Sequence, residues 1–285
     1  MTQAANKLNQ QERTKQFHQL HHSGQLLVLP NIWDSLGAIL LESLGYPAVA
    51  TASFSIAFTN GYDDGEKIPF GDLLSILKKI TSHINIPVTA DIESGYAEDE
   101  NHLEKNILQL LETGIVGINI EDTDKKTNSL LPVEIQSQKI RLIKEVSEKY
   151  NVPHFINART DVYTRGKDFN TAESKFEETI KRGLAYKAAG ADCFFPLAMN
   201  NENEIQKAVE LLQMPINILI IPGVPELNVL HKMGVARVSL GPSFLKIAVR
   251  AMKNLAEKLQ NHEGLQDIVE NEITSDYLRN MVNKK

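Results

Sequence analysis

The chain has 285 residues, with 36 acidic against 30 basic side chains and a formal net charge of −6. At roughly 100–200 residues per domain, that length allows one large α/β domain or two small ones, and it buries enough surface to need no disulfide or metal staple. The acidic balance excludes the basic face of a nucleic-acid binder. The single cysteine, Cys193, excludes an internal disulfide, and no run approaches the ~18 apolar residues of a membrane helix.

Residues 1–16 are polar and lack the apolar core of a signal peptide, so a cytoplasmic protein is expected. His21 and His22 fall in this polar N-terminal helix, where exposure is expected. Short apolar runs then recur, each closed by a polar cluster: 26–31 (LLVLPN), 48–53 (AVATAS), 87–92 (PVTADI) and 117–122 (GINIED). Four more follow at 154–161 (HFINARTD), 192–197 (DCFFPL), 216–221 (INILII) and 237–241 (RVSLG). Near-continuous hydrophobicity over so few residues is what a strand buried on both faces requires.

Helical periodicity fills the gaps. Leu103, Ile107, Leu110 and Leu111 recur at 3.6-residue spacing, as do Phe176, Ile180, Leu184 and Ala188; Ile135, Leu142 and Val146 follow the same pattern. Gly45, Gly114, Gly190 and Gly234 sit where helices should end. Eight strand–helix units predict an α/β fold, a (β/α)8 TIM barrel, in one domain over 1–285. Two further helices are expected at 244–260 and about 265–282 as a C-terminal extension. No GxGxxG favours a doubly wound sheet instead.

In a barrel the chemistry sits at the C-terminal strand ends. Those ends carry Thr51, Ala52, Ser53 and Phe54; Asp91 and Glu93; Glu121 and Asp122; Arg159 and Asp161. On a strand, Asp91 and Glu93 share a face, and Glu121 on the next strand brings a third carboxylate. Three such acids repel one another when desolvated, and a hard divalent cation such as Mg2+ resolves this. Bonds to neighbouring Lys, Arg or backbone N–H groups are the competing account. The metal is favoured because no basic residue lies near these acids in sequence. Arg159 suits a substrate carboxylate or phosphate, or equally an ion pair with Asp161 or Glu121. The loop 56–69 (IAFTNGYDDGEKIP) contains Asp63 and Asp64, and 123–131 (TDKKTNSLL) suits a lid, with Lys125 and Lys126 as solvated charges. Cys193 opens its strand and suits the core. No lysine ends a strand, which disfavours a Schiff-base aldolase.

Taken in order, LPNIWDSLGA, TASFS, GYDDGE, TADIESGY, GINIEDT, INARTDVY, KAAGADCFFP and LHKMGVARVSLGP resemble the isocitrate lyase/phosphoenolpyruvate mutase superfamily, over about 26–255. The resemblance implies a Mg2+-dependent barrel acting on a small carboxylate substrate, a 2-oxo acid or a relative, through a pyruvate enolate. It implies Asp91 as the carboxylate nearest the metal and close to the substrate, with Glu93 and Glu121 as partners through water. It further implies Ser53 and Phe54 as holders of the substrate carboxylate, Asp64 as the acid of the mobile loop, and Arg159 as substrate-binding and catalytic. It also implies a homo-oligomer, usually a dimer of dimers, whose paired subunits exchange the last barrel helix. The KCGH-type loop of isocitrate and methylisocitrate lyases is replaced here by TDKKTNSLL, without its cysteine, which disfavours those two activities. KTNSLL resembles the gating loop of phosphoenolpyruvate mutase, whose catalytic asparagine matches Asn128, although the spacing from Glu121 differs from that of the mutases. Strand six ends in Pro196-Leu197, without the mutases' histidine or the lyases' acid. The combination resembles the broad bacterial branch that lacks the lyase cysteine. The expected activity is Mg2+-dependent C–C cleavage. The alternatives are P–C chemistry on phosphonopyruvate and a catalytically inactive metabolite-binding barrel.

Overall fold

The computed structural model describes residues 3–283, with side chains from Asn9 onward; Met1, Thr2, Lys284 and Lys285, the ends of the expected 1–285 domain, lie outside the described residues. The strands are β1 (Leu27–Leu29), β2 (Asn31–Ile32), β3 (Val49–Thr51), β4 (Val88–Asp91), β5 (Gly117–Glu121), β6 (Thr123–Asp124), β7 (Ser129–Leu130), β8 (Phe155–Thr160), β9 (Cys193–Pro196), β10 (Asn217–Leu219) and β11 (Arg237–Ser239). The helices are α1 (Gln3–His21), α2 (Ser35–Ser43), α3 (Ser53–Thr59), α4 (Phe70–His83), α5 (Glu100–Glu112), α6 (Val133–Lys149), α7 (Val162–Arg165) and α8 (Ala172–Ala188). They continue as α9 (Glu202–Leu212), α10 (Leu227–Lys232), α11 (Ser243–Gln260), α12 (Leu265–Val269) and α13 (Ser275–Asn283).

Every run read as a strand forms one, and together they close the predicted TIM barrel. Six-stranded β2-β3-β4-β5-β8-β9 and three-stranded β1-β11-β10 are parallel throughout. The two arcs meet at a parallel bridge between Phe194 and Ile216, and again at Pro30. Proline has no N–H to give the ladder, so the first barrel strand breaks there. Its first half pairs with β11 and its second with β3.

Alternation along the strands separates two cores. Ile32, Val49, Val88, Ile118, Ile120, Ile156 and Ala158 face outward onto Leu77, Ile80, Leu103, Ile107 and Ile140 of the surrounding helices. Leu27, Leu29, Ala48, Ala50, Val116, Phe155 and Cys193 form an apolar floor plugged by Phe17 of α1. Cys193 is the core thiol expected, and burial pushes it up to about 12. Above this floor the interior turns polar. Asn157 Nδ2 donates to Asn119 Oδ1 at 2.8 Å, and the fully buried Arg237 donates through Nε to Ser239 Oγ at 3.3 Å. The charged mouth lies above that.

Four local expectations are corrected. His21 is buried rather than exposed, stacked on Phe155 with ring centroids 4.0 Å apart. The buried face of α8 is Thr179, Arg182, Gly183 and Tyr186, leaving Leu184 exposed, because Arg182 and Tyr186 reach through the wall to Asp122. Ile135 of α6 is likewise exposed. The last helical stretch is cut in two, with Asn271 Oδ1 accepting from Ile273 N and Thr274 Oγ1 accepting from Tyr277 N at the start of α13. Along α11 only Leu245 is buried, while Ile247, Val249, Met252 and Leu259 stay exposed. Among the described residues no helix is long and apolar enough to cross a membrane.

His154, just before β8, is fully buried with Nε2 against Ile115 O at 3.1 Å. Burial lowers it from 6.5 to about 4. The unfolded chain therefore binds more protons between those values, and stability falls as pH drops through the window, by up to about 3 kcal/mol from this group. His154→Leu is expected to be less stable at pH 7 but to lose less on acidification from pH 6.5 to 4, as read by urea unfolding at each pH. Parallel curves for both proteins contradict this.

Candidate active site

The C-terminal strand ends surround a cavity of about 270 Å³. Ser53, Asp64, Glu93, Glu121, Asn128 and Arg159 all line it, along with Lys125, expected in solvent, and with Lys67, Thr123 and Arg165, which were not singled out in the sequence. Asp91 and Phe54 do not line it. Asp91 lies behind Ser53, accepting from Ser53 Oγ at 2.9 Å through Oδ2. The Phe54 ring turns away to stack on Phe58, with Lys246 Nζ 5.9 Å from its centre.

Glu93 does not arrive by strand alternation. The β4 strand stops at Asp91, and Glu93 sits in a left-handed turn with φ 52°, followed by Gly95 at φ 106° and Tyr96 at φ 54°. Glycine suits Gly95 because its φ of 106° strains any L side chain, and a Cβ there would also press on Leu103 Cδ1 at 2.8 Å. The turn is gripped from outside. Glu66 Oε1 accepts from Ser94 N, Ser94 Oγ and Tyr96 N at 2.9, 2.6 and 3.0 Å, and Lys139 Nζ donates to Ser94 O at 2.6 Å. Left-handed non-glycine residues cost about 1–3 kcal/mol each, so a grip of this kind is what such a turn needs to persist.

The expected lid is a hairpin: β6 and β7 pair antiparallel, with Lys125, Lys126, Thr127 and Asn128 as the turn. It overturns the premise that the acids have no basic neighbour. Lys126 is solvated as expected, 3.8 Å from the exposed Glu98, but Lys125 folds inward. Its Nζ lies 2.6 Å from Glu121 Oε1 and 2.7 Å from Glu93 Oε2. Burial alone would lower the ammonium; Glu121 and Glu93 instead raise it. Arg159 makes both ion pairs open to it, Nη1 to Glu121 Oε2 at 2.9 Å and Nε to Asp161 Oδ1 at 2.6 Å, while still lining the cavity. Burial pushes Glu121 up to about 7 against the pull of Arg159 and Lys125, and burial likewise raises Glu93. At the rim, Asp64 is raised first by loss of hydration and then by Asp91.

Among the described residues no three His, Cys, Asp or Glu side chains converge as a coordination shell. The donor chemistry nevertheless suits a hard cation, being all carboxylate oxygen. Two of the three acids already close on a positive charge, the Lys125 ammonium. Asp91 stands beside that pair, linked through its Oδ1, which accepts from Glu93 N at 3.3 Å.

Sequence reasoning misassigned Lys125 to solvent and missed Glu66, Lys139 and the Asp122–Arg182–Tyr186 cluster. None carries a spacing signal, because each pairing comes from how separate loops and helices meet. The family model for phosphoenolpyruvate phosphomutase matches residues 17–260. A Mycobacterium tuberculosis (strain H37Rv) protein of uncharacterised role is 32% identical over 250 residues, covering 87% of this chain and 90% of its own. A Burkholderia cenocepacia structure provisionally called a phosphonomutase superposes with a TM-score of 0.82 at 33% identity, covering 86% of this chain and 99% of that one. The 2-methylisocitrate lyase of Bacillus subtilis is 25% identical over 275 residues, 91% of this chain and 87% of the relative. With a barrel mouth of acids and cations and matches to lyases and mutases along nearly its whole length, the chain is an enzyme and belongs to the phosphoenolpyruvate phosphomutase family.

Proposed function

We propose that the chain is a Mg2+-dependent lyase that cleaves a C–C bond of a small 2-oxo acid or 2-hydroxy dicarboxylate, releasing pyruvate by way of its enolate. The carrying observation is the polar cavity of about 270 Å³ in which buried carboxylates already hold a cation and Arg159 faces the same space. That volume lies just below the range of about 300–1,000 Å³ for drug-sized ligands and suits a small acid. Asp91, Glu93 and Glu121 would hold the Mg2+. Bound there, it would supply fixed positive charge for oxygens that become negative as the bond breaks.

The chain's own groups supply the rest. Arg159, held by Glu121 and Asp161, presents a guanidinium whose remaining donors suit a substrate carboxylate. Asp64 at the rim, its carboxyl raised, is placed to hold the proton that the enolate carbon takes up. The β6–β7 hairpin covers the mouth and limits access of water. The exposed apolar side of α11 suits burial against a second copy, as a dimer or dimer of dimers. The surroundings of this chemistry are cytoplasmic in this reading, in keeping with a lone, buried thiol.

The test is pyruvate appearance from a panel of oxaloacetate, methylisocitrate, related acids and phosphonopyruvate, with and without Mg2+. Turnover is expected to vanish on chelation and to fall about 100-fold or more in Asp91→Ala. Undiminished pyruvate release by that variant removes the metal assignment.

A second reading, P–C chemistry on phosphonopyruvate, is favoured by Asn128, which lines the cavity from the hairpin turn. In that case Asn128→Ala should lose phosphonopyruvate turnover by about 100-fold. Wild-type turnover of that substrate by the variant removes this reading. For the assembly, light scattering at micromolar concentration is expected to give a dimer or tetramer mass, and a monomer contradicts the pairing of α11.

A further inference from the structure

Lys125 is a cation of the mouth that the proposed reaction does not use, and its position conflicts with the metal that the reaction requires. Glu93 and Glu121 are almost fully buried, and each turns one oxygen outward to other partners. Glu93 Oε1 accepts from Glu66 N at 2.8 Å, and Glu121 Oε2 pairs with Arg159. The oxygens left facing each other, Glu93 Oε2 and Glu121 Oε1, are both taken by Lys125 Nζ, at 2.7 and 2.6 Å. A Mg2+ ion bonds oxygen at about 2.0–2.1 Å and keeps several waters around it. An ammonium within hydrogen-bond distance of the same two oxygens fills that space and repels a second cation there.

We propose that Lys125 is a tethered monovalent cation that competes with the divalent ion for Glu93 and Glu121, so that metal loading requires the hairpin to withdraw it. This rests on the cation reading of the site given above. The exchange is balanced in kind: the acids are compensated by the ammonium before loading and by the metal after it, so the buried carboxylates never stand unpaired.

The hairpin is built for such a movement. Its base is fixed by pairing of Thr123 with Leu130 and by Leu131 N donating to Asp122 O at 2.8 Å. Its tip, Lys126, Thr127 and Asn128, is exposed. Lys125 stands between base and tip on a flexible four-carbon stem, one-quarter exposed. Rotation of that stem releases both contacts without breaking the β6–β7 ladder. The same release frees the tip carrying Asn128, so metal loading and lid position are coupled through one side chain.

The experiment measures metal binding without substrate. Mn2+ affinity, read from the free-ion electron paramagnetic resonance signal, is expected to be at least tenfold tighter in Lys125→Met than in the wild type. Without metal the variant should melt below the wild type, and saturating Mg2+ should raise its Tm by more than it raises that of the wild type. In the wild-type protein itself, Mg2+ should increase amine acylation of Lys125 severalfold, as read by peptide mass spectrometry; this readout stands even where the variant folds poorly. Equal or weaker Mn2+ binding by a folded Lys125→Met protein, or acylation of Lys125 indifferent to Mg2+, overturns the competition alone. Absence of metal binding in both proteins overturns the cation reading and the competition together.

Discussion

The site depends on a carboxylate that never touches it. Asp122 is fully buried one residue beyond Glu121, and it accepts from Thr160 Oγ1 at 2.6 Å, Asp161 N at 2.9 Å, Arg182 Nη1 at 2.9 Å and Tyr186 OH at 2.7 Å. A buried charge costs several kcal/mol unless its oxygens are satisfied and a counter-charge is near, and Arg182 supplies both. Those four bonds fasten the end of β5 to the end of β8 and to α8. Arg182 also donates to Leu131 O at 2.9 Å, which anchors the far side of the hairpin. Burial raises the Asp122 carboxyl, and Arg182 at 2.9 Å opposes that shift. Glu121, Asp161 and the hairpin base are all placed by this cluster.

From that cluster the charges of the mouth follow in sequence. Asp161, held by its own backbone N–H on Asp122 and by Thr123 Oγ1 at 2.7 Å, grips Arg159 with both carboxylate oxygens. Arg159 reaches Glu121, Glu121 reaches Lys125, and Lys125 reaches Glu93. Acids and cations alternate along this chain, which offsets the mutual repulsion of three buried carboxylates, Asp161, Glu121 and Glu93, in one small mouth. A ligand or metal entering it does not meet an open acid cluster. It meets an occupied network and must exchange with part of it.

The barrel was legible because burying a parallel sheet on both faces forces near-continuous apolar runs, and eight of them at strand length leave few other folds. The candidate acids were legible from the rule that barrel chemistry sits at strand ends. What periodicity could not reach was side-chain pairing across elements. On α8 the apolar spacing of Phe176, Ile180, Leu184 and Ala188 misplaced the buried face, because polar Arg182 and Tyr186 are drawn inward by Asp122. His21 misled in the same way: a polar helix buries one side where it plugs the barrel floor, and Phe17 and Phe155 enclose the ring. Lys125 looked like a loop charge because a four-residue hairpin turn gives no register by which to aim a side chain.

The backbone marks the same boundary. Glu66, Glu93, Tyr96 and Asn128 all adopt the left-handed region, and all belong to the segments that frame the mouth. Only asparagine among them tolerates that conformation readily. Glutamate and tyrosine are held there by Glu66 gripping the β4 turn and by Glu66 N donating to Glu93. Regular strands could carry Asp91 and Glu121 to their C-terminal ends but could not bring Glu93 within reach of the same ammonium as Glu121. The strained turn after β4 does this, at a conformational cost that the rest of the barrel sustains. Regular structure builds the wall, and departures from it place the charges.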